Sequence, residues 1–213
     1  MNDYSLIFRS LNSSKEKIMK NNKPKYNQII EAAVKVIAAN GYHGSQVSKI
    51  AKAAGVADGT IYLYFKNKED VLVSVFEEKM GQFIEKIAES TSKKQNAEEK
   101  LRTLIEMHFS QLSADYDLAI VTQLELRQSN YALRLQINKV LKPYLKEIDS
   151  IVKEGMEEKL FRSDLNVRLV RQMIFGTLDE IVTNWVMKEQ KYDLISQVPE
   201  VHALLTGALS SAR

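Results

Sequence analysis

The stretch Gly41–Leu72 constrains the fold more than any other part of the sequence. Apolar or small residues recur there at helical spacing and are followed by a glycine, which can adopt the positive φ angle of a sharp turn: Val47, Ile50, Ala51, Ala54 and Gly55. Beyond the glycine, Ile61 and Phe65 lie four residues apart, which is one turn of a second short helix. Two short helices joined by a glycine turn are typical of a helix-turn-helix that binds DNA.

The second short helix also carries residues that a packed core does not need. They are expected on the side away from Ile61 and Phe65: Ala57, Gly59, Thr60, Tyr62 and Tyr64. A surface that meets phosphates and base edges would use a close backbone approach at glycine and the hydroxyls of threonine and tyrosine. Tyr64 has a second interpretation, as a packing residue.

The distribution of charge favours the same stretch. The whole chain carries a net charge of only +3. Residues 20–70 contain eight lysines and four acidic residues, a net charge of +4, whereas residues 71–213 contribute −2. A positive balance centred on the helix-turn-helix is expected of a DNA-binding domain, although many solvated surfaces show a similar excess.

Helical periodicity continues through the rest of the chain, and only 8 glycines and 3 prolines interrupt it. We therefore predict an all-α protein, with an N-terminal helix-turn-helix domain and a C-terminal helical bundle for ligand binding and dimerisation. The predicted domains are a mobile arm over residues 1–23, a DNA-binding domain over 24–72, and an effector-binding and dimerisation domain over 73–213. Whether translation starts at Met1 or at Met19 is left open.

Composition argues against several classes of function. The absence of cysteine excludes disulfides and thiol catalysis, and no run approaches the roughly 20 apolar residues that span a bilayer. The three histidines, His43, His108 and His202, lack the spacing of metal ligands. We expect no enzymatic activity, no catalytic residue, no metal and no cofactor, and we expect a cytoplasmic protein that does not enter membranes.

The N-terminal part resembles the TetR family of bacterial transcriptional regulators. The matching positions span about residues 25–72: Ile30–Ala33, Gly41, Tyr42, Val47, Ile50, Ala51, Ala54–Val56, Gly59, Tyr62, Tyr64, Phe65, Lys68 and Leu72. The resemblance implies that the predicted helix-turn-helix binds double-stranded operator DNA.

The predicted DNA contacts are Ser45, Gln46, Ala57, Gly59, Thr60, Tyr62, Tyr64 and Lys68. Gln46 and Thr60 would read base edges, and Ala57 could touch a thymine methyl group. Lys68 would meet a phosphate at the start of the next long helix, although it has a second interpretation as a solvated cation. Ser45 is also expected to be the N-cap of the first short helix, and Asn67 with Asp70 to cap the long helix. The family often has threonine where Gln46 stands, so the base preference there stays open.

Two later segments, Leu118–Asn130 and Arg168–Met187, resemble the fatty-acid-degradation regulators of Bacillus-type bacteria. The resemblance implies a repressor of fatty-acid degradation genes that leaves a palindromic operator when long-chain acyl-CoA binds. The predicted effector site comprises Leu104, His108, Phe109, Ile120, Leu124, Arg127, Arg134, Arg168, Arg171, Met173, Ile174, Phe175 and Trp185. The apolar members have an alternative role as ordinary core, and the arginines as a solvated or salt-bridged face.

A single short reading helix covers few base pairs, so we expect a homodimer. The last two helices are the predicted dimer surface because they are apolar around much of their circumference: Ile181, Val182, Trp185, Met187, Val201, Leu204 and Leu205. Filling of a monomer core is the alternative. Two other functions are open at this point, a TetR-like sensor of another small hydrophobic ligand such as a drug, and a helical adaptor that does not bind DNA.

Overall fold

The computed structural model describes residues 23–210, and this part of the chain consists of nine α-helices without a strand. The all-α prediction is therefore confirmed. The helices are α1 (Lys23–Gly44), α2 (Val47–Ala53), α3 (Asp58–Tyr64), α4 (Lys68–Ser92), α5 (Ala97–Ala114), α6 (Tyr116–Glu125), α7 (Tyr131–Glu157), α8 (Val167–Met187) and α9 (Val198–Leu209), with a 3₁₀ turn at Ile195–Gln197. The predicted mobile arm lies outside the described residues, apart from Lys23.

The described chain divides into two compact units after Glu78, within helix α4. The sequence-based boundary was placed six residues earlier, after Leu72. Between residues 23 and 210, no helix is both long enough and apolar enough to cross a bilayer.

The first unit is built from α1, α2, α3 and the beginning of α4. Its core is formed by fully buried aliphatic and aromatic side chains: Ile29, Ile30, Ala33, Ile37, Ile50, Ile61, Phe65 and Leu72. Gly41 interrupts the first helix with φ 66° and ψ 162°, a conformation that side chains with a Cβ rarely adopt. The Gln28 side chain donates a hydrogen bond of 2.8 Å to the carbonyl of Ala54, which joins α1 to the end of α2.

The second unit contains the rest of α4 and helices α5 to α9. Four of its helices start at an asparagine or aspartate whose side chain accepts from backbone N–H groups of the first turn: Asn96, Asp115, Asn130 and Asn166. Such caps satisfy N–H groups that have no partner within the helix, and each stabilises its helix by about 1 kcal/mol. These caps define where α5, α6, α7 and α8 begin.

Helix α7 ends against an aromatic side chain that folds back on it. The N–H of Phe161 donates to the carbonyl of Gly155 at 2.9 Å, and the Phe161 ring covers the glycine. A Cβ at Gly155 would overlap that ring. The next residue, Arg162, donates its N–H to the carbonyl of Leu209 at 2.9 Å, which connects this turn with the end of α9.

Candidate DNA-binding surface and effector cavity

Helices α2 and α3 have the geometry predicted for a helix-turn-helix. Gly55 forms the turn between them with φ 63°, while Ile50, Ala51 and Ile61 face the core. Among the predicted DNA contacts, Gln46, Ala57, Gly59 and Tyr62 are exposed and Thr60 is half-buried. Tyr62 has 57% of its surface exposed, which is high for an aromatic residue in a packed unit. These residues are therefore accessible to a DNA backbone or base edge.

Ser45 does not take the position expected from sequence. Its side chain is buried, with 1% exposure, and its hydroxyl lies 2.7 Å from the carbonyl oxygen of Gly41 and 3.1 Å from that of Val36. The N-cap of α2 is instead Gln46, whose side chain makes no capping bond. The prediction that Ser45 caps α2 is wrong, and the burial of its side chain does not favour the predicted DNA contact. The Ser45 hydroxyl instead acts as a donor to α1, at and before the break at Gly41.

Replacing Ser45 with alanine is expected to lower the free energy of unfolding by about 1–2 kcal/mol, because both hydrogen bonds of its buried hydroxyl are lost. The DNA affinity of the folded protein should stay within about threefold of wild type. Ser48→Ala, at an exposed serine on α2, is the matched control and should change stability by less than about 0.5 kcal/mol. Urea denaturation and DNA titration measure the two quantities. A large loss of affinity in a fully folded Ser45→Ala protein would restore Ser45 as a DNA contact.

Tyr64 is also a packing residue. It is 4% exposed, and its ring centroid lies 6.3 Å from those of both Tyr26 and Phe65. Tilted rings at this separation stabilise a core through their burial and quadrupoles. The prediction that the Tyr64 side chain reaches DNA is corrected accordingly. Tyr62, two residues earlier, is the exposed tyrosine of this helix.

Lys68 joins the start of α4 to the end of α1. Its Nζ donates to the carbonyls of Tyr42 at 3.0 Å and His43 at 3.2 Å, and lies 4.5 Å from the centroid of the Tyr42 ring. The lysine is half-buried, so it is neither a freely solvated cation nor a purely internal one. Its ammonium group is thereby held at the N-terminus of α4, where the helix dipole also favours an anion.

The predicted cap of α4 is present. The Asn67 side chain accepts from the N–H of Asp70 at 2.8 Å, and the Asp70 carboxylate accepts from the N–H of Lys66 at 2.7 Å. An exposed apolar residue of α3 was also missed. Leu63 has 58% exposure, and its position midway between inward-facing Ile61 and Phe65 could have indicated it.

The second unit contains a cavity of about 420 Å³ between the end of α6, α7 and α8. Its lining residues are Leu126, Arg127, Arg134, Asn138, Leu141, Leu145 and Phe175. Three of the predicted effector residues are among them: Arg127, Arg134 and Phe175. The leucines that complete the apolar wall were missed because their helical spacing does not distinguish a cavity wall from core.

Arg127 forms an ion pair with Asp179, whose carboxylate is buried. With its side-chain amide oriented to satisfy its neighbours, Gln123 donates to the other carboxylate oxygen at 3.1 Å. Arg134 donates to the carbonyl of Gln128 at 3.3 Å and lies over the Tyr131 ring. Both arginines are therefore oriented by neighbours while still lining the cavity.

The other predicted effector residues lie elsewhere. Arg171 pairs with Asp149 at 2.7 Å, and Arg168 is exposed; neither lines this cavity. Core residues of the unit, buried to 4% exposure or less, are Leu104, His108, Phe109, Ile174 and Trp185. Ile120 is half-buried, whereas Leu124 and Met173 are exposed. None of these residues lines the cavity, and the buried apolar members have the role of ordinary core that the sequence offered as the alternative.

His108 is the most unusual member of this core. Its Nδ1 lies 2.8 Å from the Tyr144 hydroxyl, and among the described residues its Nε2 has no hydrogen-bond partner. Burial lowers the pKa of His108 to about 3 and raises the pKa of Tyr144. At neutral pH the side chain is therefore an uncharged imidazole inside an apolar environment.

This burial predicts a pH dependence of stability. In the unfolded chain the histidine pKa is near 6.5, so below that pH the unfolded state binds a proton that the folded state excludes until about pH 3. The folded state should lose about 2 kcal/mol between pH 7.5 and pH 5 from His108 alone. Urea denaturation at both pH values measures this loss, and His108→Phe should remove it. If the free energy of unfolding of His108→Phe falls between pH 7.5 and pH 5 as much as that of wild type, His108 is not the cause of the pH dependence.

A second cavity, of about 310 Å³, lies between α4, α5 and the start of α6. Its residues are Lys79, Gln82, Phe83, Lys86, Ser110, Gln111, Ala114, Asp115 and Leu118.

A helix-turn-helix in one unit and an arginine-lined cavity in the other together define a DNA-binding regulator with a separate ligand-binding unit.

Comparison with known proteins agrees with this class. The model of the tetR family of bacterial regulatory proteins matches residues 29–75, and a model described as YsiA-like protein, C-terminal region, matches residues 76–208. The chain belongs to the TetR family of bacterial transcriptional regulators.

Three comparisons with more than 60% identity are with regulators of fatty acid metabolism or degradation. The chain is 61% identical to the fatty acid metabolism regulator protein of Bacillus subtilis over 191 residues, which is 90% of this chain and 98% of the relative. The fatty acid degradation regulator FadR of Bacillus halodurans has a similar structure, with a TM-score of 0.83 and 64% identity over 86% of this chain and 99% of that chain. FadR of Bacillus subtilis, solved in complex with stearoyl-CoA, gives a TM-score of 0.84 and 61% identity with the same coverage.

Proposed function

We propose that this protein represses fatty-acid degradation genes and leaves its operator when a long-chain acyl-CoA binds the second unit. The observation that carries the proposal is the 420 Å³ cavity, which combines an apolar wall with two arginines. Leu126, Leu141 and Leu145 can remove an acyl chain from water, and Arg127 and Arg134 can donate charge-assisted hydrogen bonds to the phosphates of CoA. A relative with 61% identity has been solved with stearoyl-CoA, which supports this ligand class.

The DNA-binding surface of the proposal consists of Gln46, Ala57, Gly59, Thr60, Tyr62 and Lys68. The exposed backbone at Gly59 and the hydroxyls of Thr60 and Tyr62 can approach phosphates and base edges closely. Lys68 supplies a positive charge at a helix N-terminus, an arrangement that favours a phosphate. A protein that binds chromosomal DNA in a bacterium acts in the cytoplasm, and we place it there.

We propose a homodimer through α8 and α9. Exposed apolar side chains on or beside these helices support this arrangement, with Leu169 62% exposed, Met187 66% and Leu204 68%. Several residues named for the interface from sequence are buried within the chain itself: Val182, Trp185, Val201 and Leu205. The proposed interface therefore consists of the residues that the chain leaves uncovered.

The test measures DNA binding and ligand binding in the same protein. An operator is first selected from genomic fragments with the purified protein, and its affinity is followed by fluorescence anisotropy. Saturating palmitoyl-CoA should weaken DNA binding at least 10-fold, while free CoA should change it less than about twofold. Operator affinity that is indifferent to palmitoyl-CoA, in protein shown by calorimetry to bind it, would refute release by acyl-CoA.

Lys68→Ala tests the DNA side of the proposal. Loss of one phosphate contact per protomer should weaken operator binding about 10-fold and reduce the salt slope by about 0.9 for each protomer. Lys49→Ala is a matched control, because Lys49 is an exposed lysine whose Nζ donates to the Asn40 side chain at 3.0 Å. If the two variants behave alike, Lys68 has no special role in DNA binding.

A further inference from the structure

Four aromatic rings lie between the two cavities of the second unit. Phe175 lines the 420 Å³ cavity and Phe83 lines the 310 Å³ cavity. Tyr144 stands between them, with its ring centroid 6.1 Å from that of Phe175 and 5.9 Å from that of Phe83. His108 completes the set at 5.6 Å from Tyr144 and 5.4 Å from Phe83. We call Phe83, His108, Tyr144 and Phe175 the aromatic row.

Both cavities are small compared with the ligand proposed above. Pockets for drug-sized molecules measure about 300–1,000 Å³, and both cavities lie in the lower half of that range. A long-chain acyl-CoA is larger than such a molecule. If its phosphates contact Arg127 and Arg134, its acyl chain shares the cavity with Phe175, the member of the aromatic row that lines it.

The aromatic row contains a polar atom without a partner. His108 is buried to 4% exposure, and Nε2 makes no hydrogen bond with any described residue. A buried, unsatisfied nitrogen destabilises the arrangement that contains it. The Nδ1 bond to Tyr144 couples the two central rings, so they are expected to move together when the row opens.

The far end of the aromatic row belongs to α4. Phe83 lies on this helix, and its backbone carbonyl accepts from the Gln111 side chain at 3.2 Å. Helix α4 runs without interruption from Lys68 to Ser92 and so includes residues of both units. A displacement of the Phe83 ring therefore acts on the helix that begins at the proposed DNA-binding surface.

We propose that the aromatic row sets the shortest acyl chain that releases DNA. The inference rests on the proposed function. A short chain occupies the 420 Å³ cavity and leaves the row closed, whereas a long chain displaces Phe175 and Tyr144 and then Phe83. Only displacement of the aromatic row gives a ligand different affinities for the DNA-binding state and the released state. A ligand shifts a conformational equilibrium solely through such a difference in affinity.

The first test uses wild-type protein with octanoyl-, lauroyl- and palmitoyl-CoA. Binding is measured by calorimetry and release by anisotropy of operator DNA, each at saturating ligand. We expect octanoyl-CoA to bind but to weaken DNA binding less than about twofold, and palmitoyl-CoA to weaken it at least 10-fold. Equal release by every chain that saturates the site would overturn the aromatic row as a length gate. Failure of all three to release DNA would instead refute the proposed function.

The second test separates binding from release with Phe83→Leu. The truncated side chain should keep palmitoyl-CoA affinity within about threefold of wild type, while release at saturation falls at least fivefold. Phe161→Leu applies the same truncation to a buried phenylalanine outside the aromatic row and should leave both quantities near wild type. If Phe83→Leu changes binding and release in the same proportion, Phe83 is only a packing residue. If Phe83→Leu does not fold, the chain-length series with wild-type protein tests the aromatic row as a length gate.

Discussion

Exchange of both Arg127 and Arg134 for glutamine is expected to raise the palmitoyl-CoA concentration needed for DNA release about 100-fold. Both arginines line the 420 Å³ cavity and are oriented by neighbours. A charge-assisted hydrogen bond to phosphate contributes about 1.5–3 kcal/mol, and loss of 1.4 kcal/mol at each position weakens binding about tenfold. Glutamine retains an N–H donor that can face the buried Asp179 carboxylate.

Arg168→Gln is the matched control for this prediction. Sequence reasoning assigned Arg168 to the same site, but its exposed side chain does not line the cavity. The palmitoyl-CoA concentration at which Arg168→Gln releases DNA should stay within about threefold of wild type. Operator affinity without ligand should be unchanged in all variants. Equal losses from Arg168→Gln and from the double variant would place the phosphate contacts elsewhere than at this cavity.

Gly155→Ala is expected to lower the free energy of unfolding of the second unit by about 3 kcal/mol, the upper end of the usual cost of overpacking. The added Cβ would overlap the Phe161 ring, which is itself buried and fixed by the N–H bond of Phe161 to the Gly155 carbonyl. Urea denaturation followed by the fluorescence of Trp185, the single tryptophan, reports on this unit.

Gly81→Ala provides the comparison for Gly155→Ala. Gly81 also lies within a helix, but a Cβ there would meet no atom within 4 Å. Alanine should therefore stabilise the protein by about 0.5–1 kcal/mol through helix propensity alone. A Gly155→Ala protein as stable as wild type would mean that Phe161 can leave its position over α7 at little cost.

Local patterns were sufficient to predict the helices and the helix-turn-helix. The spacing of Ile50, Ala51 and Ile61 identifies their inward faces because helical periodicity is a property of neighbouring residues. The same holds for the cap formed by Asn67 and Asp70, which depends on an interval of three residues. The family could be identified from the sequence because the matching residues lie close together along the chain.

Tertiary contacts decided the features that sequence reasoning missed. Ser45 is buried because the break at Gly41 presents it with backbone carbonyls, and Tyr64 because Tyr26, 38 positions earlier, packs against it. Which arginines line the cavity also depends on distant partners, since Asp149 pairs with Arg171 while Asp179 pairs with Arg127. Periodicity identifies a buried face, but it does not indicate whether that face meets another helix or an open cavity.

The bonds of Lys68 also affect the entropy of DNA binding. An exposed lysine has about 2 kcal/mol of rotamer entropy to lose when it is fixed against a phosphate. Lys68 is already held by the carbonyls of Tyr42 and His43, so most of that freedom is lost on folding. Its ammonium group has three N–H donors, and the two bonds leave one for an incoming phosphate. The side chain thus presents an ordered charge to DNA, and association there requires little further ordering.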